Sequence, residues 1–237
     1  MAHLRLRSVL AGAAGLALAA ALSAPAEADG APAENIDGVP TAEASDAQWY
    51  AWSEQVRAQA RATDWAADAA ARGCTLVRVT ITDVTMPQVS AAAGAPEDLL
   101  TPQVEREEQC DQTQTLSMSG SGDAILPLSV PAGSQCNGYT RGPGTICVSR
   151  SGSSVVASFA YRGSGSVSGF IRIYQVPPGS NGCPTGSTIR TGPVQGYTAG
   201  VQRSVSVTVL QNAAFSAHFW RSTAWGYTDW GAACGVL

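Results

Sequence analysis

This sequence predicts a mainly β protein, an antiparallel β-sandwich or small barrel stabilised by disulfides, with one N-terminal amphipathic α-helix. Three observations predict it. From about Thr113 onward, short alternating segments are separated by Gly, Ser and Pro turns. The six cysteines form an even set. Only one stretch, about 45–72, carries its apolar residues at helical spacing.

The N-terminus reads as a targeting segment. Arg5 and Arg7 form a positive n-region without an acid, Val9 to Leu22 is apolar or Gly, and Ala26-Glu27-Ala28 fits an A-x-A cleavage site. The apolar run is shorter than the ~20 residues a membrane-spanning helix needs. Residues 1–28 are therefore expected to be a signal peptide, and the mature chain a secreted, extracellular protein with no membrane partner. Residues 29–44, rich in Ala, Pro and acids, read as a flexible leader.

All the cysteines follow the cleavage site, at Cys74, Cys110, Cys136, Cys147, Cys183 and Cys234. In an exported chain they read as three disulfides. The expected pairing joins neighbours, Cys74–Cys110, Cys136–Cys147 and Cys183–Cys234, because short loops meet often. No close pair such as C-x-x-C occurs, and His218 is the sole histidine after the signal peptide, so neither a metal nor a cofactor is expected.

Charge is unevenly spread. Residues 29–123 hold 16 acids against five arginines, whereas residues 124–237 hold seven arginines against one acid, Asp229. The chain thus reads as an acidic α+β region (45–123) and a basic β region (124–237), taken either separately or as one domain. Either the acidic half is simply well solvated, or it docks on the basic strands. The formal net charge is −4, and the arginines are scattered singly, which argues against a nucleic-acid partner. Lysine is absent and Ala and Gly abundant, a bias of high-GC bacterial coding.

Ser45 and Gln48 have capping-box spacing. Trp49, Trp52, Val56, Ala60, Thr63, Ala67 and Ala70 then mark one helical stripe, with Trp65 off it, and Gly73 is placed to end the helix. Val77, Val79 and Ile81 alternate with polar residues, predicting a strand over about 75–85 with these three inward. Residues 87–112 read as irregular because Pro87, Pro96 and Pro102 interrupt them, with Glu105, Glu107 and Glu108 on a short helical turn. Strands are predicted at 113–119, 124–130, 144–149, 153–162, 166–176, 201–210, 213–221 and 224–230, and a long loop at 177–200 held through Cys183.

Catalytic signatures are sparse. His218 would share a strand face with Ser216 and Trp220, as a partly exposed histidine, and could pair with Asp229, but no G-x-S-x-G marks a nucleophile. Glu105 and Glu108 are three apart, neighbours if helical. The strongest signal is aromatic. Phe215, Phe219, Trp220, Trp225, Tyr227 and Trp230 cluster near the C-terminus, and Phe170, Arg172 and Tyr174 could extend a platform from a neighbouring strand. A half-buried strand cannot bury both faces, so at least one of these rings should be exposed or covered. The candidate ligand-binding residues are Trp220, Trp225, Tyr227, Trp230, Arg172 and Tyr174. The reading is a non-catalytic exported binding module for a cell-wall or extracellular polysaccharide, or for an extracellular protein. The alternatives are a secreted hydrolase using His218 and Asp229 or the carboxylate pair, and a secreted inhibitor baited by the 177–200 loop.

Overall fold

The computed structural model describes residues 38–110, 130, 132–136 and 139–237. The expected signal peptide, most of the expected leader, the strand expected at 113–119 and all but Val130 of that expected at 124–130 lie outside these residues. In chain order the elements are helices α1 (Asp46–Ala62) and α2 (Trp65–Ala71), strand β1 (Cys74–Thr85), helix α3 (Pro87–Ala92), and strand β2 (Leu100–Cys110). Strands β3 (Gln135–Cys136), β4 (Tyr139–Thr140), β5 (Gly144–Ser151), β6 (Ser154–Tyr161) and β7 (Ser166–Val176) follow. The chain ends with β8 (Ser187–Thr191), β9 (Gln195–Thr198), β10 (Val201–Thr208), β11 (Ala214–Thr223) and β12 (Gly226–Val236).

Two antiparallel sheets result. The first runs β1-β2-β10-β6-β5-β3 and the second β4-β12-β11-β7-β8, with β9 also on β7. Alternation decides what each strand buries. Along β6, Val155, Ala157, Phe159 and Tyr161 point into the core while Val156, Ser158 and Ala160 point out. Ile171 and Ile173 of β7, Val205 and Val207 of β10, and Phe215, Ala217 and Phe219 of β11 complete one cluster shared by both sheets.

The tightest contact across this core is an aromatic stack. The Phe159 and Phe219 rings lie 3.8 Å apart and nearly parallel, at 4°. Tyr197 of β9 meets both edge-on, at 5.5 and 5.0 Å. Two glycines make room for these rings. A Cβ on Gly144 would strike Phe159, and one on Gly169 would strike Phe219 and the Trp220 carbonyl.

The disulfides join Cys74–Cys110, Cys136–Cys147 and Cys183–Cys234. The first staples β1 to β2 and the second β3 to β5. The third ties the segment after β7 onto the outer face of β12. There Tyr174, Val176, Cys183, Ala214, Ala232 and Cys234 form a second buried cluster, so β7 is covered on both faces.

The acidic and basic segments share the first sheet through the pairing of β2 with β10. Arg203 of β10 pairs with Glu107 across this junction, and Arg190 of β8 reaches Glu105 from the second sheet. Glu108, 1% exposed, takes two hydrogen bonds of 2.8 Å from Arg72. A buried carboxylate persists because it is paired and hydrogen-bonded.

Several expectations are corrected. The helix expected over 45–72 is two helices. Thr63 closes α1, its hydroxyl donating to the Gln59 carbonyl at 2.8 Å, and the Asp64 carboxylate opens α2 by accepting from the Ala67 amide at 3.0 Å. Trp49, Trp52 and Ser53 are buried on α1, but on α2 it is Ala69, with Ala67 and Ala70 exposed. Val77 is 60% exposed, because a bulge between Leu76 and Arg78 shifts the register and turns Leu76 toward Cys74–Cys110. Residues 87–112 are not irregular. Pro87 sits in the first turn of α3, where its missing amide costs nothing. Pro102 lies in β2 beyond the part paired with β10, so no bond to that strand is lost. Glu105 and Glu108 therefore stand on opposite faces of a strand. The 177–200 loop contains β8 and β9. Val39, within the expected leader, is 8% exposed and packs in the main core.

Arg57 and Arg61 of α1 both bind the Asp83 carboxylate of β1, at 2.9 and 2.5 Å. Burial alone would raise the pKa of Asp83, but the hydrogen bonds from Arg61 and Arg57 outweigh it and hold the carboxyl below its ordinary value. With the folded value depressed, this contribution is complete above the unfolded carboxylate's pKa of ~3.9 and is lost as pH falls through the lower folded value. Asp83→Asn should therefore flatten the decline in urea midpoint below about pH 4; an unaltered acid limb would rule this out. In the core, Phe219→Ala should cost roughly 3–5 kcal/mol and Gly169→Ala about 1–3 kcal/mol, read from the same urea transitions.

Candidate functional site

The aromatic residues divide by strand parity and by turn. Across the outer face of the second sheet, Phe170 of β7 stands opposite Trp220 of β11, which stands opposite Asp229 of β12. One row along, Arg172 stands opposite His218, and beyond it Tyr174 stands opposite Ser216. Tyr227 of β12 lies on this face opposite Ser222 and meets Phe170 edge-on at 4.9 Å. The Arg172 guanidinium lies 4.9 Å over the other end of this set, on Phe170.

Exposure then sorts the candidates. Trp225 is 98% exposed and Tyr227 52% exposed. Trp220 and Arg172 are half-buried, with Arg172 donating to the Thr191 hydroxyl at 3.0 Å. Tyr174 is 4% exposed beneath the disulfide-tied segment, so its ring is not available to a ligand. Trp230 belongs to the inner side. It stacks on Tyr161 at 6.3 Å and packs against the main core, with Arg221 4.8 Å over its ring. The structure thus gathers Trp220, Tyr227 and Arg172 around Phe170, hangs Trp225 at their open end, and removes Tyr174 and Trp230.

Trp225 owes its position to the turn. Thr223 pairs with Gly226, leaving Ala224 and Trp225 as the two residues of the hairpin tip. The Thr223 hydroxyl donates to the Gly226 carbonyl at 3.1 Å and accepts from the Trp225 amide at 3.3 Å. Gly226 has φ of +124°, a conformation that favours glycine. The tip is thus fixed by local bonds, and the indole packs on almost nothing.

His218 is buried, at 1% exposure, not partly exposed as expected. Its Nδ1 lies 3.0 Å from the Asp229 carboxylate and its Nε2 lies 2.8 Å from the Ser216 hydroxyl. With Nδ1–H donating to Asp229, Nε2 accepts from Ser216, the order of a Ser-His-Asp relay. Ser216, however, is wholly buried, at 0% exposure. The Pro184 carbonyl sits 3.3 Å from the same Nε2, and the Tyr174 ring abuts the imidazole edge-on at 5.2 Å. An electrophile would need space at Ser216, and Ser216 lines neither the concavity on the outer face of the first sheet nor the small recess beside Tyr197. In this tautomer the Pro184 carbonyl is a close neighbour of Nε2 and not its hydrogen-bond partner, so the disulfide-held segment covers the relay by packing. The signal for it in the sequence was the shared face of Ser216 and His218 together with Asp229; the Pro184 contact carried none.

Glu105 and Glu108 form no catalytic pair, since each faces its own arginine on opposite sides of the sheet. Cys74, Glu108 and Cys110 cluster closely enough to suggest a metal, but both sulfurs are spent in a disulfide and offer no thiolate. Segment 177–200 holds β8 and β9, which pair with β7.

No protein-family model, curated protein or solved structure matches this chain. Its function must be argued from the faces described above. Among the described residues no helix is long and apolar enough to cross a membrane, and no cysteine is free.

A structural role for the relay has measurable consequences. His218→Ala should cost roughly 2–4 kcal/mol in urea unfolding, because it strands buried partners. A fluorophosphonate should leave native Ser216 unlabelled. Rapid labelling of the folded protein would instead mark Ser216 as a nucleophile.

Proposed function

We propose that this protein is an exported, non-catalytic binding module that holds an extracellular glycan on the aromatic end of its second sheet. The observation that carries the reading is the exposure of Trp225, at 98%, beside Tyr227, at 52%. Leaving an indole in water forgoes its burial, worth about 25 cal/mol per Å². A fold that buries Trp49 and Phe219 completely has the means to cover one more ring. A fixed turn that holds the ring out instead favours contact with something else.

The surroundings suit sugar rings. Flat apolar faces with polar edges match the C–H faces and hydroxyl rims of pyranoses. Tyr227 is buttressed by Phe170, and the half-buried Arg172 offers donors beside it. A rigid tip reduces the ordering cost of binding. Three disulfides suit an oxidising extracellular space.

Co-sedimentation with insoluble cellulose, chitin and cell-wall sacculi tests this. Trp225→Ala and Tyr227→Ala should each weaken retention about tenfold or more, while the melting temperature moves little, as for other surface changes. Retention unchanged in both variants would sink the reading. Capture of an extracellular protein through the same two rings, with no glycan retained, would replace the glycan by a protein target.

A further inference from the structure

Arginines of this fold are commonly matched to carboxylates. Arg57 binds Asp83, Arg72 binds Glu108 and Arg203 binds Glu107. Arg172 departs from this pattern. It is half-buried on the outer face of the second sheet and has no ion pair among the described residues. We infer that Arg172 is kept for the ligand: the glycan on this face carries a carboxylate, as a uronic acid does, and Arg172 binds it and so selects acidic over neutral sugars. That a sugar lies here at all rests on the reading above; its charge rests on Arg172.

The guanidinium is held in place without a ligand. Its Nε donates to the Thr191 hydroxyl of β8 at 3.0 Å, and its Cζ lies 4.9 Å over the Phe170 ring. These two contacts orient the fork and leave Nη1 and Nη2 without a partner and open to solvent. Phe170 is only 4% exposed, since Arg172 lies over it and Tyr227 meets it edge-on. Arg172 and Tyr227 each lie 4.9 Å from that ring, so the guanidinium and the Tyr227 ring are no more than about 10 Å apart. That is the span of two linked pyranoses. One disaccharide unit can therefore stack on Tyr227 and reach Arg172.

No acid of these strands competes for the guanidinium. Asp229 is the only acid in the strands of the second sheet. Its Oδ2 lies 3.0 Å from His218 Nδ1, and its Oδ1 accepts from the Gly231 amide at 3.2 Å. A sugar hydroxyl would engage one Nη–H at a time. A carboxylate takes Nη1 and Nη2 together, in a planar pair of charge-assisted bonds about twice as strong as neutral ones. A fork oriented beforehand also loses less entropy when it binds.

Tetragalacturonate and its methyl ester present the same rings with and without the charge. Titration of the protein with each should give the acid a Kd about tenfold or more below that of the ester, a preference that shrinks as salt is raised. Arg172→Gln should bring the acid to the ester's affinity and leave the ester's unchanged. Arg221→Gln removes an equal charge from the other side of the same hairpin, over Trp230, and should keep the preference whole. Trp225→Ala should weaken both sugars alike. If the native protein bound the acid no more tightly than the ester, the role of Arg172 would be overturned, whether or not the variants fold. A full preference surviving in Arg172→Gln would overturn it too. Either result leaves the glycan reading standing as long as Trp225→Ala still releases the sugar. Failure of the native protein to bind the acid, the ester, cellohexaose and chitohexaose alike would overturn the glycan reading, and this inference with it.

Discussion

The stacked rings of Phe159 and Phe219 set the geometry on which the rest of the molecule depends. They join the two sheets at 3.8 Å, and Gly144 and Gly169 exist as glycines to let them close. Strand period does the rest. Because Phe219 points inward, its neighbours His218 and Trp220 must point outward, and Arg172 and Phe170 follow by register on β7. The outer face of the second sheet is thus a consequence of the core, not a separate construction. Covalent and ionic ties then close the edges. The disulfides pin β1 to β2, β3 to β5, and the 183 region to β12. Arg190 and Arg203 reach back to the carboxylates of β2, so the unlike charges of the two halves are spent on each other.

Burial is distributed unequally over the same sheet. At one end of the outer face, the segment around Cys183 and Pro184 seals Tyr174, Ser216 and His218 from solvent. At the other end nothing described covers Tyr227, and the hairpin continues out to Trp225. A single face therefore contains a sealed polar relay and an open aromatic patch about two strand rows apart. The sealed end has the chemical order of a hydrolase relay without space for a substrate. The open end leaves the faces of Trp225 and Tyr227 to solvent.

Much of the architecture was legible in the residues. Alternation marked β5, β6, β7, β10 and β11 nearly to their ends, because each buries one face in a common core. The disulfide partners are neighbours in sequence, as short-loop closure favours. What failed was where long-range partners override local pattern. The charges of β2 looked like an exposed turn, yet distant arginines neutralise them inside a sheet. The split between α1 and α2 turns on two side chains, Thr63 and Asp64, whose capping bonds outcompete a continuous stripe. At the candidate site, the sequence required that some aromatic of β11–β12 face outward, and Trp225 and Tyr227 do. It did not reveal that Tyr174 lies under the disulfide-tied segment, nor that the bulge beside Trp230 turns that ring to the core side. Those outcomes depend on contacts outside the strand itself, with the segment around Cys183 for Tyr174 and with Tyr161 for Trp230, which periodicity does not carry.

The central claim is that one hairpin is core at its base and free at its tip. Native-state hydrogen exchange along β11 and β12 measures this directly. Amides from Phe215 to Phe219 and from Ala232 to Cys234 should exchange only through global unfolding, whereas those of 223–227 should exchange orders of magnitude faster in the free protein. Equal protection from base to tip would mean that Trp225 is packed against something, and would contradict the account.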